Sequence, residues 1–119
     1  MPVSQTTPRI LAFGDNVVDC YRDRQRMFPG GNCVNHAVFA RRFGAETAYA
    51  GAVADDAAGR AIRDALVAEG VETSLLRFLP GQTAYCVIAT EGGERAFLGA
   101  NLGVSVIAPS PADLAWMKT

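Results

Sequence analysis

The stretch Phe28-Pro29-Gly30-Gly31-Asn32-Cys33-Val34-Asn35-His36-Ala37 sets the reading of this chain: a glycine pair runs straight into an apolar-faced helix whose first turn carries two asparagines. At a helix N-terminus four backbone N–H groups lack partners, and the helix dipole favours electron-rich groups there. With no side chains at Gly30 and Gly31, a hydroxylated or anionic small molecule has room to approach those donors. The plainer alternative is a tight turn followed by an asparagine N-cap.

Upstream, residues 9–14 form a short apolar run that ends in glycine, the pattern of a buried strand feeding a loop with Asp15, Asn16 and Asp19. Val17, Val18, Cys20 and Tyr21 read as a second, exposed strand. Downstream, Val34, Ala37, Val38 and Ala40 make a helical stripe that Gly44 closes. Residues 47–53 read as another apolar strand. Asp55-Asp56 then sits at the N-cap of a helix over about residues 57–69, in which Ala58, Ala61, Ile62, Ala65 and Leu66 follow the helical spacing. Gly70 stops that helix. Strands alternating with helices through short connections predict an α/β unit with parallel strands.

From Val71 the period changes. Residues 75–79, 83–90 and 95–98 read as strands in an antiparallel pattern, two of them joined by Glu91-Gly92-Gly93-Glu94 as a hairpin. Residues 105–107 are expected to return to the main sheet. Ser110-Pro111-Ala112-Asp113 opens a last helix, with Ser110 as N-cap, Pro111 at N1 and Asp113 at N3. Leu114, Trp116 and Met117 would give it an apolar face with no later partner, so the sequence reads as cut off after its last residue.

A chain of 119 residues, half of them apolar, suits one small soluble domain. A net charge of −1 leaves no excess basic surface for nucleic acid. Arg22, Arg24 and Arg26, interrupted by Asp23, read as a solvated strand or loop face. Gly103, Pro109 and Pro111 break the low-charge region 98–117, so no membrane span is expected. The three cysteines, Cys20, Cys33 and Cys86, form no Cys-x-x-Cys pair, which argues against a disulfide framework or a zinc site. The apolar run after the polar N-terminal segment is too short for a signal-peptide core, and a cytoplasmic location is the expectation.

Asp15 and Asp19 lie just beyond the first strand, where open α/β sheets place their ligands. Carboxylates suit sugar hydroxyls because each accepts several O–H hydrogen bonds, and Asn35 both donates and accepts. The competing reading makes Asp15 and Asn16 turn residues and Asp19 a solvent-facing strand residue. Asp55 and Asp56 are better explained by capping than by acid–base or metal chemistry. Arg95 either grips an anionic group of a substrate or pairs with Glu94 in the hairpin. His36, the single histidine, reads as structural or surface. Neither a phosphate-binding Gly-x-x-x-x-Gly-Lys loop nor a dinucleotide fingerprint is present.

Taken in order, Gly14-Asp15-Asn16-Val17-Val18-Asp19, Gly30-Gly31-Asn32-Cys33-Val34-Asn35-His36-Ala37 and Gly51-Ala52-Val53-Ala54-Asp55-Asp56-Ala57-Ala58-Gly59 resemble the N-terminal part of the ribokinase-like (phosphofructokinase B type) carbohydrate kinases. Gly70-Val71, Thr83 and Gly93-Glu94-Arg95 continue the resemblance over nearly the whole chain. The pairing of Gly-Asp-Asn-x-Val-Asp-x-Tyr with Gly-Gly-Asn-x-Val-Asn is most similar to the fructoselysine 6-kinases. Ala54 departs from the family, which often has glycine there.

The resemblance implies a ribokinase-like three-layer α/β/α sheet with a small antiparallel β-sheet lid, truncated after its N-terminal part. Its core would lie at about residues 9–14, 32–70 and 104–119, and its lid strands at about 17–28 and 75–99. It implies that Asp19, Gly31 and Asn35 contact a sugar, with Asp15 and Gly30 beside them and Arg95 as a lid contact. It also implies transfer of the γ-phosphoryl of ATP, with magnesium, to a sugar hydroxyl, and a homodimer through the lid. The family's Asp-Thr-x-Gly-Ala-Gly-Asp type loop, which supplies the anion hole and the catalytic aspartate, does not occur in these residues. No catalytic residue and no metal ligand is therefore expected here, and this stretch alone is expected to be inactive and to hold ATP and magnesium weakly. Two alternatives stay open: a non-catalytic sugar-binding or dimerisation module, and a kinase for ribose, a nucleoside or a keto-deoxy sugar acid.

Overall fold

Two sheets divide the chain. In a computed structural model residues 6–119 are described; the polar N-terminal segment read from the sequence falls largely outside them. The first sheet has the order β1-β4-β5 and is parallel throughout, formed by β1 (Arg9–Phe13), β4 (Glu46–Val53) and β5 (Leu76–Phe78). Ile10 pairs with Thr47 and Gly51 with Leu76. Parallel strands covered on both faces need apolar or small side chains on both, and β4 supplies them: every residue after Glu46 is buried.

Helices lie on both faces of this sheet. On one, Val34 and Ala37 of α1 (Asn32–Arg42) and Ile62 and Leu66 of α2 (Ala57–Ala68) pack with Tyr49 and Val53. On the other, Trp116 of α3 (Pro111–Met117) packs against Ala48, Ala50 and Leu75. Trp116 thus finds its partners in earlier segments of the chain, whereas Leu114 and Met117 stay exposed. The expected capping box is present, with the Ser110 hydroxyl accepting from the Asp113 N–H and the Asp113 carboxylate accepting from the Ser110 N–H. Arg77 of β5 fixes α3 from below through Asp113 Oδ2 at 2.6 Å and the Ala108 carbonyl at 3.1 Å.

The second sheet has the order β3-β2-β6-β7, from β2 (Val17–Tyr21), β3 (Arg26–Gly30), β6 (Tyr85–Glu91) and β7 (Glu94–Asn101). It is antiparallel within each hairpin and parallel where β2 meets β6. Both of those strands leave the core from neighbouring points, the Val18 N–H donating to the Ala84 carbonyl at 3.0 Å, and so run side by side in one direction. Gly92 and Gly93 close the second hairpin, both at positive φ as expected.

Three local expectations change. Residues 75–79, read with the antiparallel strands, instead place β5 beside β4 in the core, so the lid contribution there begins with β6. Residues 105–107 form no strand. Val18, read as part of an exposed strand, is buried in the main core, in one cluster with Val34 and Ala37 of α1 and Ile62 and Leu66 of α2.

Candidate functional site

The two glycines of the opening stretch stand at the junction of the sheets. Gly31 has φ +100°, a conformation that side-chain-bearing residues rarely adopt. A Cβ there would come within 3.0 Å of the Asn16 Cα and 3.3 Å of the Asp15 carbonyl oxygen. The glycine therefore lets the start of α1 press against the backbone of the β1–β2 loop. Gly31, not Asn32, is the N-cap residue of α1, and it offers no side chain to cap the helix. Asp15 supplies the missing acceptor from another segment: its Oδ1 takes the Cys33 N–H at 3.4 Å. The neighbouring Cys33 thiol donates to the Phe13 carbonyl at 3.2 Å, and burial pushes its pKa up.

Asp19 sits on β2 with its carboxylate against Gly30; a Cβ on Gly30 would meet Asp19 Oδ2 at 3.2 Å. Partial burial raises the Asp19 pKa, and the charge of Arg95 opposes that rise. Arg95 makes no hairpin pair with Glu94. It crosses the sheet, and its Nη1 donates to the Tyr21 hydroxyl at 3.3 Å. The structure thus brings Asp15, Gly31, Gly30 and Asp19 to one junction, with Arg95 reaching toward it from β7. Asn35 lies one turn into α1, exposed, with its N–H on the Gly31 carbonyl at 2.9 Å. No described side-chain hydrogen bond joins it to Asp15 or Asp19. His36 is exposed on the same helix.

The scaffold beneath holds residues that the sequence reading passed over. Asn16, taken there as a turn residue, is only 1% exposed. Its Nδ2 donates to the Tyr49 hydroxyl at 3.0 Å and to the Ala52 carbonyl at 2.7 Å, while that hydroxyl donates to the Gly14 carbonyl at 2.7 Å. Both amide protons are thereby spent in pinning the loop that carries Asp15 to the end of β4. Burial drives the Tyr49 pKa far up, so the hydroxyl keeps its proton. The sequence did hold a signal: Tyr49 is a lone aromatic in a strand of alanine and glycine, and Gly51, two residues on, leaves the space that its ring end fills.

Asp56 caps α2 as expected, accepting the Gly59 N–H at 2.7 Å. It also accepts the Thr83 N–H at 3.0 Å and the Thr83 hydroxyl at 2.6 Å, and that hydroxyl accepts from the Ala54 N–H at 2.9 Å. Burial opposes ionisation of Asp56, but the Thr83 and Gly59 hydrogen bonds and the charge of Arg60 outweigh it and hold the carboxyl below its usual range. The entry to β6 is thus tied to the head of α2. Among the described residues no group of three or more His, Cys, Asp or Glu is arranged to hold a metal ion. Among the same residues no helix is long and apolar enough to cross a membrane.

With this geometry in hand, comparison with known proteins gives a consistent picture. The family model for pfkB family carbohydrate kinases matches residues 3–116. The fructosamine kinase FrlD of Bacillus subtilis is 38% identical over 96 residues, covering 80% of this chain and 34% of that protein. The fructoselysine 6-kinase of Escherichia coli is 33% identical over 109 residues, covering 91% of this chain and 42% of that protein. Among solved structures, the apo fructokinase of Vibrio cholerae superimposes with a TM-score of 0.70 at 33% identity, over 88% of this chain and 36% of that one. A double mutant of the same fructokinase, solved with fructose, ADP and potassium ion, superimposes with a TM-score of 0.63 at 30% identity, over 81% of this chain and 33% of that one. The chain thus spans between about a third and two fifths of the length of the curated relatives it matches.

Proposed function

This chain belongs to the pfkB family of carbohydrate kinases and has a ribokinase-like fold, and from that premise we propose that its residues form the sugar-binding side of a cytoplasmic kinase for a fructosamine-type acceptor such as fructoselysine. One observation carries the reading: the Asp19 carboxylate lies against the bare backbone of Gly30, beside the head of α1. A carboxylate in that setting accepts paired hydrogen bonds from vicinal hydroxyls. Asp15 and Asn35 flank that floor and Arg95 approaches it from the lid, which also serves as a homodimer contact. The preference for fructosamines is supported by the names of two relatives, at 38% and 33% identity.

ATP, with magnesium, supplies the phosphoryl group in such an enzyme. The described residues orient the acceptor, and none is assigned to the transfer itself; this stretch alone is therefore proposed to be inactive. Titration calorimetry on the 119-residue chain tests the reading. Fructoselysine binds more tightly than ribose, and Asp19→Asn weakens fructoselysine by about 10–100-fold, the range expected for lost hydrogen bonds to a charged group. Unchanged affinity in Asp19→Asn removes the sugar site, equal affinity for ribose removes the acceptor class, and phosphoryl transfer from ATP by this chain removes the division of labour.

A further inference from the structure

Two arginines of the run that the sequence presents as solvated, Arg24 and Arg26, stand with Arg95 around one tyrosine. Arg95 Nη1 donates to the Tyr21 hydroxyl at 3.3 Å, and the Arg24 guanidinium stands 5.6 Å from the centre of the Tyr21 ring. Arg26 faces Tyr21 directly across the β2–β3 ladder. Asp23, which interrupts this run, is turned away to β6, its Oδ2 accepting from the Thr90 N–H at 2.8 Å and the Thr90 hydroxyl at 3.3 Å. Among the described residues the ion pairs involve other arginines, and no carboxylate lies within 4.0 Å of the Arg24 or Arg95 guanidinium.

The position of this cluster matters. Tyr21 follows Asp19 by two residues on the same strand, so both side chains leave the same face, about 7 Å apart along β2. Phe28, the ladder partner of Asp19, packs edge-on against Tyr21 with ring centres 5.6 Å apart. A sugar held at Asp19 would therefore direct a substituent past two aromatic rings toward gathered guanidinium groups. Guanidinium groups gathered without an ion pair, with Asp19 acting on Arg95 only through its charge, favour an incoming anion, and a guanidinium matches the two oxygens of a carboxylate.

We propose that Tyr21, Arg24 and Arg95 form an anion-reading subsite that selects acceptors carrying a carboxylate on the arm attached to the sugar. This rests on the reading of Asp19 as a sugar ligand and adds the source of discrimination: a neutral ketose has nothing to offer the guanidinium groups.

The test compares a fructosamine whose arm ends in a carboxylate with the same compound ending in a carboxamide, and with fructose, by titration calorimetry on the chain. The carboxylate binds about 10-fold or more tightly than the carboxamide, the range of a charged hydrogen bond, and the ratio shrinks as salt is raised. Arg95→Met and Arg24→Met each move that ratio toward one, whereas a general weakening of sugar binding would lower both affinities and leave the ratio intact. Both substituted positions are exposed, and a melting curve confirms that each variant is folded. A ratio near one in the unaltered chain, or a ratio unchanged in both variants, overturns the subsite while fructose binding still stands. If neither fructose nor either fructosamine binds, the sugar reading of Asp19 fails and the subsite falls with it.

Discussion

β4 and β7 are both eight residues long, and they live in opposite surroundings: seven residues of β4 are buried, whereas all eight of β7 are exposed. The buried strand carries threonine, alanine, glycine, valine and one tyrosine, and its work is to hold two helices and the β1–β2 loop in place. The exposed strand carries Arg95 and Phe97 on an open sheet face. In this molecule the parallel sheet is the buried base, and β7 of the mixed sheet presents its side chains to solvent. Stability and selectivity should therefore separate along that boundary.

The sharpest way to break this comparison is to empty the base. Leu66 is fully buried between α2 and β4, and Leu66→Ala should cost about 2–5 kcal/mol in urea unfolding. A shift under 1 kcal/mol, by the same principle, would mean that this sheet is not the main source of stability.

A smaller effect sharpens the boundary at the seam, where Asp56 joins α2 to the start of β6. Asp56→Ala should cost about 1–2 kcal/mol through the lost helix cap alone. The pH dependence has a definite sign. Because the folded carboxyl titrates below its ordinary value, its contribution is fully present above the unfolded pKa of about 4 and disappears as pH falls through the lower folded value. Urea midpoints between neutral and strongly acidic pH should fall less steeply in Asp56→Asn than in the parent chain; identical slopes would remove Asp56 from the acid sensitivity.

The smallest effect is expected in the display sheet. Phe97 is 69% exposed on β7, and Phe97→Ala should change the stability of a single, undimerised copy by no more than about 0.5 kcal/mol. A loss comparable to that of Leu66→Ala would show that the lid face is packed in solution, as a homodimer through the lid would require; sedimentation of the two proteins then tells packing within one chain from packing between copies.

Much of this was legible from residues close together in the sequence. The Ser110–Asp113 capping box, the Asp56 cap and the Gly92-Gly93 hairpin each depend on atoms a few residues apart, so local identity was enough. The ordered glycine motifs likewise carried the family. Asn32 occupies a common capping position by type, yet the N-cap of the helix is Gly31 and the acceptor comes from Asp15. Residues 75–79 misled because a short apolar strand has the same pattern whichever sheet it joins, and the free edge of β4 decided the matter.

By itself the sequence determined the helix caps at Asp56 and Ser110, the Gly92-Gly93 turn and which family the chain belongs to, because caps, periodicity and glycine positions act over a few residues. Only the tertiary structure decided that Asn16 and Tyr49 lock the site loop from beneath, that Asp15 caps a helix from 18 positions away, and that Arg95 turns to Tyr21 across 74. Those contacts join segments that meet only after the sheets have formed, and no local pattern records which distant backbone will be there to receive a hydrogen bond.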